Sequence, residues 1–188
     1  QAETVLHHIL RGTGLRGLAG MPVRRPIRWG SKIELVRPLL GFRRAELQGY
    51  LERRNLPYRI DSTNEDGAAA RRNLIRQQVL PQIEASVNPE AVTALLRLAE
   101  QARRAEDVIQ FCAAEGLERA VVRQEKDEIV LRAGLLASFP KAIQTEIIVL
   151  VLRRLGAPLQ EVGFERIEAA AEAAGGADRR VIELPGGV

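Results

Sequence analysis

The chain has 188 residues, 46% of them hydrophobic and 28% charged, a balance that suits one generous domain or two small ones and excludes a disordered polar tail. A single cysteine, Cys112, excludes a disulfide framework and a thiol-rich metal cluster; with no apolar run of membrane-span length, a soluble protein of a reducing, cytoplasmic setting is expected. The net charge of +4 hides an asymmetry: residues 1–84 carry 15 Lys and Arg against 8 Asp and Glu, a balance of +7, while residues 85–188 carry 13 against 16, a balance of −3.

In chain order, Ala2, Val5, Leu6, Ile9 and Leu10 recur at helical spacing, and the pattern stops at Gly12. Only Gln1 precedes it, with no Ser, Thr, Asp or Asn to cap the start, so a helix already in progress is expected, its upstream segment missing. The glycine-rich RGTGLRGLAGMP reads as a turn-bearing loop. Residues 32–36 alternate ahead of Arg37-Pro38, and the proline moves its neighbour out of the helical region, which predicts a short strand. Residues 42–54 read as a helix. A polar turn, Asp61-Ser62-Thr63-Asn64, then leads to a helix capped by Asn64 or Asp66 and stopped near Pro81.

From Asn88-Pro89, a cap and a first-turn proline, one apolar face runs through Val92, Leu95, Leu96, Ala99, Ala102 and Ile109 and predicts a long helix, with Cys112 a small buried residue on it. Residues 121–132 read as a hairpin turning around Glu125-Lys126-Asp127. Helices follow over 141–155, started by Pro140 and ended by Gly156, and over 164–174, and then a strand over 181–184. The closing Pro185-Gly186-Gly187 introduces a return strand that is absent, so truncation at both ends is expected.

Eight bases, Arg16, Arg24, Arg25, Arg28, Lys32, Arg37, Arg43 and Arg44, face one acid, Glu34, and Arg suits phosphate because its fork bonds two oxygens at once. A solvated loop explains the same run. Adjacent His7 and His8 point about 100° apart and make no metal pair. Glu3, His7 and Arg11, four apart, share the face opposite the Ala2, Val5, Leu6 and Ile9 stripe. By composition and spacing alone the chain is a basic, helix-rich protein.

The blocks QAET, RGTGLRGLAGM, RPLL and IDSTNEDGAAARRNLIRQQVLP resemble tRNA(Ile)-lysidine synthetases, of the PP-loop ATPase family, in order, spacing and wording. The resemblance implies an α/β remnant of an adenine-nucleotide alpha-hydrolase-like domain followed by a mainly α-helical domain. Residues 1–84 would be the C-terminal part of the ATP-pyrophosphatase-like catalytic domain, and 85–188 the helical, tRNA-contacting middle domain. The family's pyrophosphate loop, Ser-Gly-Gly-x-Asp-Ser, is absent, so the fragment alone is expected to be inactive. The implied activity joins free lysine to the wobble cytidine of the isoleucine tRNA with anticodon CAU. ATP, with magnesium, adenylates the base's carbonyl oxygen; the lysine side-chain amine then attacks the activated carbon and expels AMP.

The resemblance also implies the site: Arg72 and Arg76 as catalytic residues at the α-phosphate, Asn73 at the ATP, and Glu3 and Arg11 at the lysine. Arg16, Arg24, Arg25, Arg28 and Lys32 would bind RNA, no residue would bind a resident metal, and a homodimer is allowed. Glu3 is equally suited to a first-turn acid held by the helix dipole, and Arg72 and Arg76 to solvated helix positions. A tRNA-thiolating relative fits poorly with a single cysteine, and a non-catalytic basic tRNA-binding module leaves the four ordered blocks unexplained.

Overall fold

The computed structural model describes residues 1–28, 30–58, 67–159 and 162–173. Two compact units are present, Gln1–Arg104 and Ala105–Val188, dividing inside the long helix.

In the first unit, α1 spans Ala2–Leu10 and ends where Gly12 takes a φ of +71°, the left-handed backbone that glycine adopts at no steric cost. Its burial is wider than one stripe: Thr4 and His7 are inside as well as Ala2 and Val5. The expected open face carrying Glu3, His7 and Arg11 is therefore interrupted, because α4 and the turn that follows it pack against α1. The glycine-rich loop holds one short helix, α2 (Leu15–Leu18), that the glycine spacing concealed. Next, β1 (Arg24–Pro26) and β2 (Glu34–Val36) pair antiparallel, with Arg24 opposite Val36 and Pro26 opposite Glu34. Arg44–Arg53 is α3, its first turn closed by Glu46 Oε2 accepting from the Arg43 N–H at 2.6 Å.

Gly67–Leu74 forms α4, and Leu80–Ser86 forms α5. Between them Ile75–Val79 widens into a π-turn, where the Leu80 N–H bonds the Ile75 carbonyl five residues back. The stop expected near Pro81 does not occur. Pro81 falls in the first turn of α5, where a missing N–H is tolerated because the helix has just changed its bonding pattern. Asn88 caps the next helix through Oδ1, which accepts from Glu90 N–H at 2.9 Å, and α6 then runs for 30 residues, Ala91–Ala120. The core of this unit is Ala2, Ile75 and Leu80, with Leu6, Val92 and Leu95 against them.

In the second unit, Ala113 and Leu117 of α6 meet Leu136 and Ile147. Gly116 permits the approach: a Cβ there would stand 3.0 Å from Ile147 Cδ1 and 3.1 Å from Phe139 Cζ. Cys112 is exposed, contrary to expectation, because Ala113, one residue and about 100° further round, takes the buried position. The expected hairpin is β3 (Val121–Gln124) against β4 (Ile129–Leu131). A short α7 (Ala133–Ala137) follows, too brief for its periodicity to register. After it come α8 (Lys141–Arg154), ended by Gly156 at φ +76°, and α9 (Phe164–Ala173). Val149, Leu152, Val162 and Ile167 form a second cluster.

Among the described residues the strands make two separate two-stranded antiparallel sheets, and the expected edge of an α/β sheet is not among them. The turn at 61–64 with its caps Asn64 and Asp66, and the strand at 181–184, lie outside the described residues.

Candidate active site

Two residues 73 positions apart meet at the mouth of a cleft in the first unit. Arg76, in the π-turn, donates from Nε to Glu3 Oε1 at 2.5 Å and from Nη2 to Glu3 Oε2 at 2.9 Å. This is a two-bond fork on a carboxylate, the geometry that separates Arg from Lys. Glu3 reaches the pair from the first turn of α1, while its neighbours Ala2 and Ile75 hold the two backbones together in the core. The bond from Arg76 keeps the Glu3 carboxyl below its ordinary value of 4.5; partial burial opposes this, and the charges of Arg76 and Arg44 add to it. Glu3 is therefore an anion throughout the neutral range.

The cleft encloses about 370 Å³. Its walls are the start of α1, residues 40–44, Leu47 of α3, Arg76 and Leu80, and Val92 and Leu96 of α6. Three arginines, Arg43, Arg44 and Arg76, line it with one acidic residue, Glu3. The field inside favours an anionic occupant, and the low-polarity floor strengthens each charge.

The loop between α1 and β1 is fastened at three points. The Gln1 side chain donates from Nε2 to the Met21 carbonyl at 2.7 Å, and its Oε1 accepts from the Met21 N–H at 3.1 Å. His8 Nδ1 donates to the Gly17 carbonyl at 2.8 Å, and Arg103 Nη2 to the Ala19 carbonyl at 2.9 Å. Gly20 is required beside the first latch: its φ is +68°, and a Cβ there would approach Gln1 Oε1 to 2.9 Å. His7, 7% exposed, has no partner for Nε2 among the described residues. Its burial, with the positive charges of Arg11, Arg71, His8 and Arg72, lowers its pKa and favours the neutral ring.

Of the residues singled out in the sequence, Glu3 and Arg76 come together in the cleft. Arg11 follows α1, exposed and outside the cleft wall. Arg72 is exposed on α4 and Asn73 half-buried, and neither lines the cleft. The spacing of four predicts that Arg72 and Arg76 project together, but the helix widens at Ile75, and α-helical spacing no longer relates them. Arg16 is exposed on α2. On the hairpin, Arg24 is paired with Glu34, and Arg25 donates to the Pro26 and Ile27 carbonyls at 3.1 and 3.3 Å. Arg28 and Lys32 are exposed between the strands. Sequence reasoning missed the roles of Gln1, Phe42, Arg43 and Arg44 in or beside the cleft; the available signal was two adjacent arginines just ahead of a helix. No group of three metal-ligating side chains is present among the described residues.

Comparison with known proteins decides the family. Residues 1–83 match the family described as a PP-loop domain. The tRNA(Ile)-lysidine synthase of Symbiobacterium thermophilum is 34% identical over 194 aligned positions, covering all of this chain and 39% of that protein. The chain belongs to the tRNA(Ile)-lysidine synthase family. The enzyme of that name from Solibacter usitatus is 34% identical over 93% of this chain and 38% of its own length, and that of Pseudomonas aeruginosa 45% identical over 61% and 25%. The chain thus spans between a quarter and two fifths of these relatives. The PP-loop match carries with it the adenine-nucleotide alpha-hydrolase fold. No helix among the described residues is long and apolar enough to cross a membrane.

Proposed function

We propose that the chain carries the lysine-facing wall of an ATP-dependent tRNA(Ile)-lysidine synthase, acting in the cytoplasm on the isoleucine tRNA with anticodon CAU. The observation that carries this reading is the Glu3–Arg76 pair inside a cationic cleft, in a chain of this family. Residues 1–84 belong to the catalytic domain and 85–188 to a helical domain that contacts tRNA; a homodimer is compatible with this division.

The carbonyl oxygen of the cytosine bonds the α-phosphate of ATP as the bond to pyrophosphate breaks, and the resulting adenylate makes that oxygen a leaving group. The lysine side-chain amine then forms a C–N bond at that carbon as the C–O bond to AMP breaks, and the amine's proton is released. Glu3, with its outer lone pairs open beyond the Arg76 fork, holds the lysine ammonium and orients it. Arg76 keeps Glu3 ionised and turns it toward the cleft. No group of three carboxylate, histidine or thiol side chains includes Glu3 among the described residues, so magnesium is read as arriving on the ATP phosphates. Arg72 and Asn73 face the ATP from α4, Arg11 lies toward the lysine, and Arg16, Arg24, Arg25, Arg28 and Lys32 hold RNA phosphates.

The test uses the full-length enzyme. Glu3→Gln removes the anion but keeps the shape, and a charged contact of ~1.5–3 kcal/mol corresponds to roughly ten- to a hundredfold in affinity. The lysine requirement rises by that factor while the ATP requirement stays within about threefold. If the two requirements rise together, Glu3 supports structure and the reading fails.

A further inference from the structure

The cleft wall holds more positive charge than its one carboxylate balances, and the excess sits beside an exposed aromatic ring. Glu3 is taken by Arg76, which leaves Arg43 and Arg44 in the cleft lining with no further acidic residue there; the charge of Arg44 is felt at Glu3. Next to them Phe42 lines the same cleft and is 59% exposed, so its ring face is open to a ligand there. A free amino acid satisfies the charges and leaves the ring in water. A nucleobase with its phosphates satisfies both, because the π-face and the anion arrive on one chain at neighbouring positions.

We propose that Phe42, Arg43 and Arg44 form a single-stranded RNA contact at the rim of the Glu3 cleft, the phenyl ring stacking on an unpaired base and the two arginines holding the flanking phosphates. This rests on reading tRNA as the substrate. RNA rather than free nucleotide is favoured because all three residues are exposed and the basic hairpin leads straight into them along the chain. Arg37 ties the base of that hairpin, its N–H bonding the Val23 carbonyl at 2.8 Å and its guanidinium the Pro22 carbonyl at 3.1 Å.

The experiment measures binding of an anticodon stem-loop RNA to the full-length enzyme across a salt series, with ATP dependence and melting temperature alongside. Phe42→Ala and Phe42→Leu both weaken RNA binding roughly 5- to 150-fold, while Phe42→Tyr, which keeps the ring, stays within about threefold. Arg43→Gln with Arg44→Gln flattens the slope of log affinity against log salt by ~1.4, at ~0.7 per single-strand contact. Phe42→Leu binding as wild type overturns the stacking. A changed ATP requirement with unchanged RNA affinity assigns the ring to the free nucleotide, and a lowered melting temperature alone assigns it to the enzyme's own packing; either overturns the proposal. A wild-type enzyme that binds no RNA sinks the functional reading as well, whereas one that binds RNA and makes lysidine with all variants unchanged sinks only the rim contact.

Discussion

Removing Arg76 tests whether the Glu3 pair is an energetic unit or a surface coincidence. The Glu3 side chain is 26% exposed and that of Arg76 41%, so water screens the pair from one side only. A fully exposed ion pair contributes about 0–1 kcal/mol, and a hydrogen bond to a charged group ~1.5–3 kcal/mol. Two such bonds at 2.5 and 2.9 Å, discounted for the half-open guanidinium, give a coupling of about 1–2 kcal/mol. The double-mutant cycle of Glu3→Gln, Arg76→Met and both together, followed by urea unfolding of the 188-residue chain at pH 7, reads that coupling directly. Its pH dependence has a fixed sign. Glu3 has a folded-state pKa below 4.5, so the pair's contribution is fully present above the ordinary carboxyl value and is lost as pH falls through the depressed one. A coupling under about 0.3 kcal/mol at pH 7, or one that grows on acidification, refutes the assignment.

The hairpin arginines give a second expectation: Arg24→Ala, Arg25→Ala and Arg28→Ala together flatten the salt dependence of tRNA binding by about two units, at ~0.7–0.9 per contact, and an unchanged slope places all three in solvent. Arg24 contributes least, because it is already paired with Glu34. On the enzyme, Arg72→Lys keeps the charge and loses the fork, so single-turnover AMP formation slows by on the order of ten- to a hundredfold with tRNA affinity unchanged; a silent Lys variant with a weak-binding Ala variant makes Arg72 an RNA contact. His7→Leu replaces an unpartnered buried nitrogen with hydrocarbon. The folded state disfavours the charged ring, so wild-type stability declines as pH falls below about 6.5 and the Leu variant is both more stable and flatter there; thermal melts from pH 8 to 5 check it. Gly116→Ala puts a methyl group 3.0 Å from Ile147 Cδ1 and lowers the melting midpoint of the second unit, and an unshifted midpoint means the helices separate without strain.

The elements whose signal is local were legible. Helical spacing located α1, α6, α8 and α9, and turn residues located the β3–β4 hairpin and the stop at Gly156. Two errors have one physical source, a register that local spacing cannot see. Pro81 reads as a stop because a helix is assumed to keep i→i−4 bonding, and the π-turn at Ile75–Val79 breaks that assumption. Cys112 reads as buried because a small thiol usually is, yet Ala113 lies one step nearer the core. At the site, Glu3 and Arg76 were each legible through the family's blocks, but their pairing was not: 73 residues separate them, and the contact depends on Ala2 and Ile75 sharing one small core. The cleft-lining Phe42 stands two residues ahead of α3, so no helical periodicity marks it.

That small core has a mechanical consequence for the site. Glu3 sits two residues from Gln1, whose amide bonds both backbone groups of Met21, the residue from which the basic hairpin departs. The hairpin returns at Arg37, and residues 40–44 re-enter the cleft wall. Both roots of the hairpin thus end on the cleft that holds Glu3. If the hairpin takes RNA phosphates as proposed, its two links to the Glu3 cleft are the Gln1–Met21 hydrogen bonds at one root and the backbone of residues 37–44 at the other. Replacing Gly20 by Ala attacks only the first path, since the added Cβ would crowd Gln1 Oε1 at 2.9 Å and strain a φ of +68°. In the full-length enzyme Gly20→Ala should therefore raise the lysine requirement more than it weakens tRNA binding, measured as lysine KM beside filter binding of the tRNA. Equal losses in both would mean that Gly20 serves the fold of the loop and that the latch carries nothing to Glu3.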